Sequence, residues 1–269
     1  MRTLARLLGA ASFLASGTLV VRAEPVDVEL VLAVDVSWSM DRGEQEIQRN
    51  GYIAALRSPE LHAAIADGAY GRVAITYVEW AGDTSQTIVL PWTLIDGKAS
   101  AEAFAYRLAA AEPDRRRRTS ISSAIDFAAD LFDRNEFEGT RRVIDVSGDG
   151  PNNQGRPVTQ ARDAATARGI TVNGLPLMTQ GAGDGYGSWG SIPDLDRYYE
   201  TCVIGGPGAF MIPVNDWEQF PEAVRRKLVL ELADAAPRLE QVPAVSKVTY
   251  EPAEANCLIG ETLWQRNRD

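Results

Sequence analysis

Apolar positions fall into two periods along the chain, and the alternation between them predicts the elements. Residues 26–34 (VDVELVLAV) form a β-rich run, nearly continuous after Leu30, as expected of a strand buried on both faces. A polar segment follows with helical spacing of Ile47, Tyr52, Ile53 and Leu56. Residues 72–80 (RVAITYVEW) and 86–90 (QTIVL) predict two strands separated by the turn-forming Gly82-Asp83. Helices are predicted over 99–111 and 120–132, the second (SISSAIDFAADLF) with clear 3.6-residue spacing. Further on come a strand at 142–147, a helix at 159–168, a strand at 170–177 and a short helix at 194–201. A short strand at 208–214 and a helix at 217–235 end the series. Strands alternating with helices predict an α/β fold, doubly wound, with a mainly parallel sheet covered on both faces. The sequence therefore divides into a leader, one domain over 24–235, and a proline-bearing tail over 236–269 that predicts extended chain.

The leader carries its own pattern. Arg2 and Arg6 precede an uncharged, largely apolar run over 7–21, and Val21-Arg22-Ala23 supplies small residues for cleavage. That order predicts a secretory signal peptide cut after Ala23. A retained anchor is the alternative, but a spanning helix needs about 20 apolar residues, and this run is shorter and contains Gly and Ser. No later run is long enough to cross a membrane. The formal net charge is −10. Removing residues 1–23 takes away three arginines and no acid, so the mature surface is more acidic still. Such a surface repels phosphate backbones and argues against nucleic acid as a partner. Cys202 and Cys257 are the only cysteines, and in an exported chain an isolated pair is more often bridged than free.

The chemistry concentrates where the first strand ends, in Asp35-Val36-Ser37-Trp38-Ser39, a D-x-S-x-S pattern. An aspartate and two hydroxyls are costly at the end of a buried strand unless something satisfies them. A helix N-cap explains one such residue but not three. Thr119 opens the helix at 120–132, and Asp149 sits in Ser147-Gly148-Asp149-Gly150 immediately after another strand. In an open α/β sheet the carboxyl ends of strands form the ligand-binding edge, which would carry both aspartates.

This set resembles the metal-ion-dependent adhesion site of von Willebrand factor type A domains, including integrin inserted domains. The matching residues are Asp35, Ser37, Ser39, Thr119 and Asp149, and the resemblance extends over about 26–235 in element order. It implies a divalent cation, magnesium first and manganese second. Ser37, Ser39 and Thr119 would touch it directly, while Asp35 and Asp149 would act largely through coordinated waters. Two carboxylates balance the ion's charge and leave it able to accept an acidic ligand at an open position. The chain also resembles a group of uncharacterised exported bacterial proteins built on this domain, through SGDGPNN at 147–153 and CVIGGPGAF at 202–210. One departure stands before Thr119, where the family usually has small residues, often glycine, and this chain has Arg115-Arg116-Arg117-Arg118.

Other signals are weaker. His62 is the sole histidine, and its surroundings predict a solvated position away from any nucleophile motif. Gly185, Gly187 and Gly190 spell G-x-G-x-x-G, but in a long loop with no Gly-Lys-Ser/Thr, which reads better as a rim loop. The four arginines read as a solvated loop or as part of a ligand rim with Trp38, and Trp92 as core or rim. The leading expectation is an exported, periplasmic or secreted, non-enzymatic module that captures a protein or peptide acid through its metal. A metal-dependent hydrolase and a structural subunit with a stabilising metal are the alternatives, and fold alone does not choose among them.

Overall fold

The computed structural model describes residues 23–112, 114–179, 191–233 and 255–266. The leader, the glycine-rich loop at 181–190 and most of the expected tail lie outside the described residues.

Five strands form one sheet: β1 (Glu24–Asp35), β2 (Val73–Trp80), β3 (Gln86–Ile95), β4 (Phe137–Gly148) and β5 (Ile170–Pro176). Their order is β3-β2-β1-β4-β5, with only β3 antiparallel. The reversal at β3 follows from the short Gly82–Ser85 turn, closed by Ala81 N–H donating to the Ser85 carbonyl at 2.9 Å. So short a link permits a hairpin but no crossover. β1 is central, and its alternate residues feed two cores. Val28, Leu30, Leu32 and Val34 face one core, while Val31 and Ala33 face the other. Burial on both faces is why the first apolar run is nearly unbroken.

On one face lie α1 (Arg42–Leu56), α2 (Pro59–Ala66), α3 (Lys98–Ala110) and α7 (Phe220–Leu232). On the other lie α4 (Ile121–Leu131), α5 (Val158–Ala167) and α6 (Leu195–Tyr198), the last running into a π-helical turn at Tyr199–Val203. The stripe of α4 is Ile121, Ala124, Ile125, Ala128 and Ala129, all buried, as its spacing predicts. In α1 the buried face is more polar than expected. It uses Gln45, Gln48 and Arg49 beside Tyr52 and Leu56, whereas Ile47 is exposed. An Asp41–Glu44 capping box starts this helix, a feature that contributes roughly 1 kcal/mol.

Three expectations need correction. The segment at 208–214 is not a strand. It touches β5 only at isolated bridges, Gly174 with Met211 and Leu177 with Val214. Ile212 N–H donates to the Gly174 carbonyl and Val214 N–H to the Pro176 carbonyl, but Pro176 has no N–H to give the Ile212 carbonyl between them, so the ladder is broken. The last long helix begins with a 3-10 turn, Trp217–Gln219, before α7 proper. Finally, the tail is not extended throughout, because α8 (Ile259–Arg266) is a helix docked on the body. Cys202 and Cys257 are bridged, with α-carbons 5.5 Å apart, and so fix α8 to the π-helical turn. Among the described residues, no helix is long and apolar enough to cross a membrane.

Candidate metal centre

Parallel pairing of β1 with β4 sets Val34 opposite Ser147, so both strands deliver their aspartates to the same sheet edge. Beyond Asp35 the chain does not stay extended. It turns, with Met40 N–H donating to the Ser37 carbonyl at 3.2 Å. Asp35 stabilises the turn by accepting from Ser37 N–H at 2.7 Å. The hydroxyls of Ser37 and Ser39 nevertheless meet at 2.7 Å, and Ser39 donates to Asp149 Oδ1 at 2.8 Å. Four of the five expected residues thus form one hydrogen-bonded cluster. Gln48 clamps the two strand ends beneath it, donating to the Asp35 carbonyl at 2.9 Å and accepting from the Ser147 hydroxyl at 3.3 Å.

Thr119 reaches the same edge by a different route. It is buried, and its N–H donates to Asn153 Oδ1 at 3.1 Å while its carbonyl accepts from Asn153 N–H at 2.9 Å. Those two bonds tie Thr119 to the loop that carries Asp149. Asn152 braces that loop from three sides. Its side chain accepts from Ser122 N–H at 3.0 Å and donates to Glu261 at 2.8 Å, and its N–H donates to the Tyr198 hydroxyl at 3.1 Å. These supporting residues were not singled out from sequence. The asparagines of the SGDGPNN stretch were the only available signal, and Glu261 lies 109 residues from its partner.

The electrostatics of the cluster are unbalanced. Both aspartates are buried. Burial first, then the neighbouring Asp149 charge, holds Asp35 well above the usual carboxylate range. Asp149 is pushed up to about 6, chiefly by burial and further by Glu44, against the hydrogen bond from Ser39. Asp35 Oδ2 is buried with no hydrogen-bond partner. Gly148 keeps a space open beside it, since a Cβ there would lie 2.9 Å from the Tyr199 hydroxyl and 3.0 Å from Asp35 Oδ2. An orphaned carboxylate oxygen, a second buried carboxylate and two serine hydroxyls, with Thr119 on the same edge, are a donor set that fits a hard divalent cation. Among the described residues no group of three or more His, Cys, Asp or Glu is placed to hold a metal, so the fit rests on the hydroxyls.

The surroundings separate rim from core. Trp38 is 50% exposed beside the cluster. Trp92 is core: it packs against Phe132 at 5.5 Å between ring centroids and donates to the Leu131 carbonyl at 3.2 Å. His62 is half-buried on α2, its Nε2 2.9 Å from the Leu56 carbonyl, rather than free in solvent. The arginine run is exposed at Arg115, Arg116 and Arg117, as a solvated loop would be, but it is anchored. Arg115 donates to the Trp38 carbonyl at 2.8 Å, and the Arg117 guanidinium lies 4.2 Å from the Trp38 ring centre. Arg116 pairs with Asp114 at 2.8 Å, and its N–H donates to the Val36 carbonyl at 3.0 Å. Arg118 stacks at 3.8 Å on Trp264 of α8 and has φ of 78°. That left-handed backbone accounts for the glycine that the resembling domains often carry here.

The strand order, the single antiparallel strand and the helices on both faces define the von Willebrand factor type A fold. Proximal thread matrix protein 1 from the mussel byssus superposes with a TM-score of 0.54 at 14% identity, over 78% of this chain and 49% of that one. A second structure of that protein has a zinc-occupied metal-ion-dependent adhesion motif. A von Willebrand factor type A protein from Catenulispora acidiphila gives 0.54 at 14% identity, over 77% and 43%. The pilus adhesin SpaC of Lactobacillus rhamnosus GG gives 0.55 at 11%, over 78% and 31%. The chain thus spans less than half of each of these structures. Within this fold the chain belongs to the family described as "Protein of unknown function (DUF1194)", whose model matches residues 25–236. No curated protein sequence matches it.

Proposed function

We propose that the chain is an exported, metal-dependent binding module that captures an acidic group of a protein or peptide and does not turn it over. The observation that carries this reading is the Ser37–Ser39–Asp149 chain of hydrogen bonds beside the orphaned, buried Asp35 Oδ2. Two buried carboxylates in one cluster are costly without a cation. Asp35, Ser37, Ser39, Thr119 and Asp149 would hold it, magnesium first and manganese second. When bound, the ion supplies an electrophilic position for a ligand carboxylate. Exposed Trp38, with Arg115 beside it, lines a groove of about 600 Å³ with Arg42, Gln45, Glu46, Glu112 and Asp114. Catalysis has less support, since the sole histidine is engaged on α2 and sits outside the cluster. The apolar leader and the disulfide support export.

Titration calorimetry with magnesium or manganese tests the site. One ion should bind per chain. Asp35→Ala and Asp149→Ala should weaken binding by roughly tenfold or more, as loss of even an outer-shell metal partner does. Unchanged affinity in both folded variants would remove the assignment.

A further inference from the structure

A second polar cluster lies away from the metal centre, buried between β4 and α7. Lys227 of α7 is 0% exposed and Asp145 of β4 is 1% exposed, with the Nζ atom 2.6 Å from Asp145 Oδ1. Glu231, one helical turn beyond Lys227, contacts the same Nζ atom and is itself buried. Asn173 of β5 donates to Glu231 Oε1 at 3.1 Å and fixes that carboxyl. The Phe210 ring stands 5.1 Å from the Nζ atom, and Leu228 and Leu232 are buried alongside on α7. The cluster therefore holds one amine and two carboxyls out of water.

Its geometry is unlike that of an ordinary ion pair. Despite the 2.6 Å approach, neither oxygen of Asp145 has a hydrogen-bond partner, and Glu231 Oε2 has none either. An ion pair this deep recovers its desolvation only with well-aligned hydrogen bonds. Here Nζ donates to Glu231 Oε1 but approaches Asp145 closely without that alignment. Close contact and a buried proton carrier are instead what amide formation needs. Holding the two groups together can supply an effective molarity on the order of 10⁵ M or more. The apolar wall favours loss of water and disfavours its return.

We propose that Lys227 and Asp145 become joined by an intramolecular amide between Nζ and Cγ, with Glu231 as the proton carrier. Glu231 takes a proton from the Lys227 ammonium and passes it to Asp145, which leaves a neutral amine facing a carboxylic acid. The amine lone pair forms the N–Cγ bond. Glu231 then relays a second proton from nitrogen to the departing oxygen, the Cγ–O bond breaks, and one water leaves. The two hydrogens lost by nitrogen depart on that oxygen, so the step is redox-neutral and needs no co-reactant. Burial and the Asp145 charge push the Glu231 carboxyl up to about 7, against the opposing effect of Lys227, so both its forms are accessible near neutrality. Burial opposes but does not outweigh the Asp145 and Glu231 charges that hold the Lys227 ammonium above its ordinary range, so the first proton transfer runs uphill and is drawn forward by loss of water. The product exchanges a buried ion pair for a neutral amide and ties α7 covalently to the central sheet. This inference does not depend on the metal centre.

Mass spectrometry of the purified, reduced and denatured chain tests it. The chain should weigh one water less than its sequence requires. A tryptic digest should contain a branched peptide joining 143–162 to 227–238, because an acylated Lys227 resists cleavage. Lys227→Met and Glu231→Gln should both restore the full sequence mass, Glu231→Gln while leaving the amine and Asp145 in place. Full mass in the unmodified chain overturns the proposal. So does a water loss confined to a linear peptide, as an aspartimide at Asp149-Gly150 would give. A bridge that persists in Glu231→Gln overturns the assigned role of Glu231.

Discussion

If the proposed cation binds, Asp35 and Asp149 should behave oppositely with and without it, and pH should expose the difference. In the metal-free chain burial raises both carboxyls, so the folded state holds its protons more tightly than the unfolded state. A carboxyl whose folded pKa is raised costs stability as pH rises from about 4, its unfolded value, through the folded value. For Asp149 that window closes at about 6. Bound metal demands the ionised forms, so its stabilising effect should shrink as pH falls through the same window. The measurement is the melting-temperature gain from magnesium over chelator, taken at pH 7 and at pH 5. We expect a gain that is large at pH 7 and largely lost at pH 5, and an equal gain at both would contradict this account. Taking the difference cancels Glu231, which is also raised and titrates whether or not metal is present. Arg118 poses a second question at this scale. Its left-handed backbone costs about 1–2 kcal/mol, and its stack on Trp264 returns about 0.5–1 kcal/mol. Arg118→Ala keeps the strain and loses the stack, whereas Arg118→Gly loses both. Urea unfolding should therefore find the alanine variant less stable than the glycine variant, even though alanine is ordinarily the less costly residue in a folded chain.

At the scale of elements, α8 acts as a brace on the loop that carries Asp149. Gly260 packs so closely that a Cβ there would lie 2.0 Å from the Asn152 carbonyl oxygen. Glu261 bonds the Asn152 side chain, Trp264 supports Arg118 next to Thr119, and Cys257 ties the helix to Cys202. Gly260→Ala cannot be absorbed by a flexible side chain, because the obstacle is backbone, so α8 must shift. We expect this variant to keep the sheet and its far-ultraviolet circular dichroism but bind manganese several-fold more weakly. Reduction of the disulfide should act in the same direction. Undiminished manganese affinity in both cases would show that α8 is only packed against the loop. This element marks where sequence reading fell short. Residues 26–34 and 72–80 announce strands because they are buried on both faces, and 120–132 announces a helix because it buries a regular stripe against the sheet. In α8 only Gly260 is buried, and the helix depends on a disulfide and on Asn152, contacts that no local period reveals. The segment at 208–214 misled for the converse reason, being apolar in composition but set against Pro176 of β5, whose missing N–H breaks the pairing into isolated bridges. The site itself was more legible. Asp35, Ser37, Ser39 and Asp149 converge as their places after β1 and β4 require, whereas Gln48 and Asn152 carried no pattern of their own.

At the scale of the whole molecule, an acidic chain of formal charge −10 presents four consecutive arginines beside the cluster of its aspartates. The run is held there by Val36, Trp38 and Trp264, so its field is fixed in place rather than averaged over a mobile loop. Arg116 is largely spent on Asp114, which leaves Arg115, Arg117 and Arg118 as the main sources of positive potential. That field acts with opposite sign on the two species the site is proposed to bind. It attracts an acidic ligand and raises its association rate, but it repels the incoming cation. The cation effect can be measured before any ligand is known. Replacing Arg115, Arg116, Arg117 and Arg118 with glutamine should tighten manganese binding at low salt, by about 0.1–0.2 kcal/mol per removed charge (about two- to fourfold in all). The Debye length is roughly 30 Å at 0.01 M salt and 3 Å at 1 M, so the difference should vanish at the higher concentration. Thr119→Ala should instead weaken binding at both concentrations, because it removes a proposed donor rather than a distant charge. Equal manganese affinities for the parent and the four-glutamine variant at low salt would mean that the arginines serve Trp38 and Trp264 alone. The five-residue metal assignment would stand unaltered by that result, and the proposed steering of an acidic partner would lose its source.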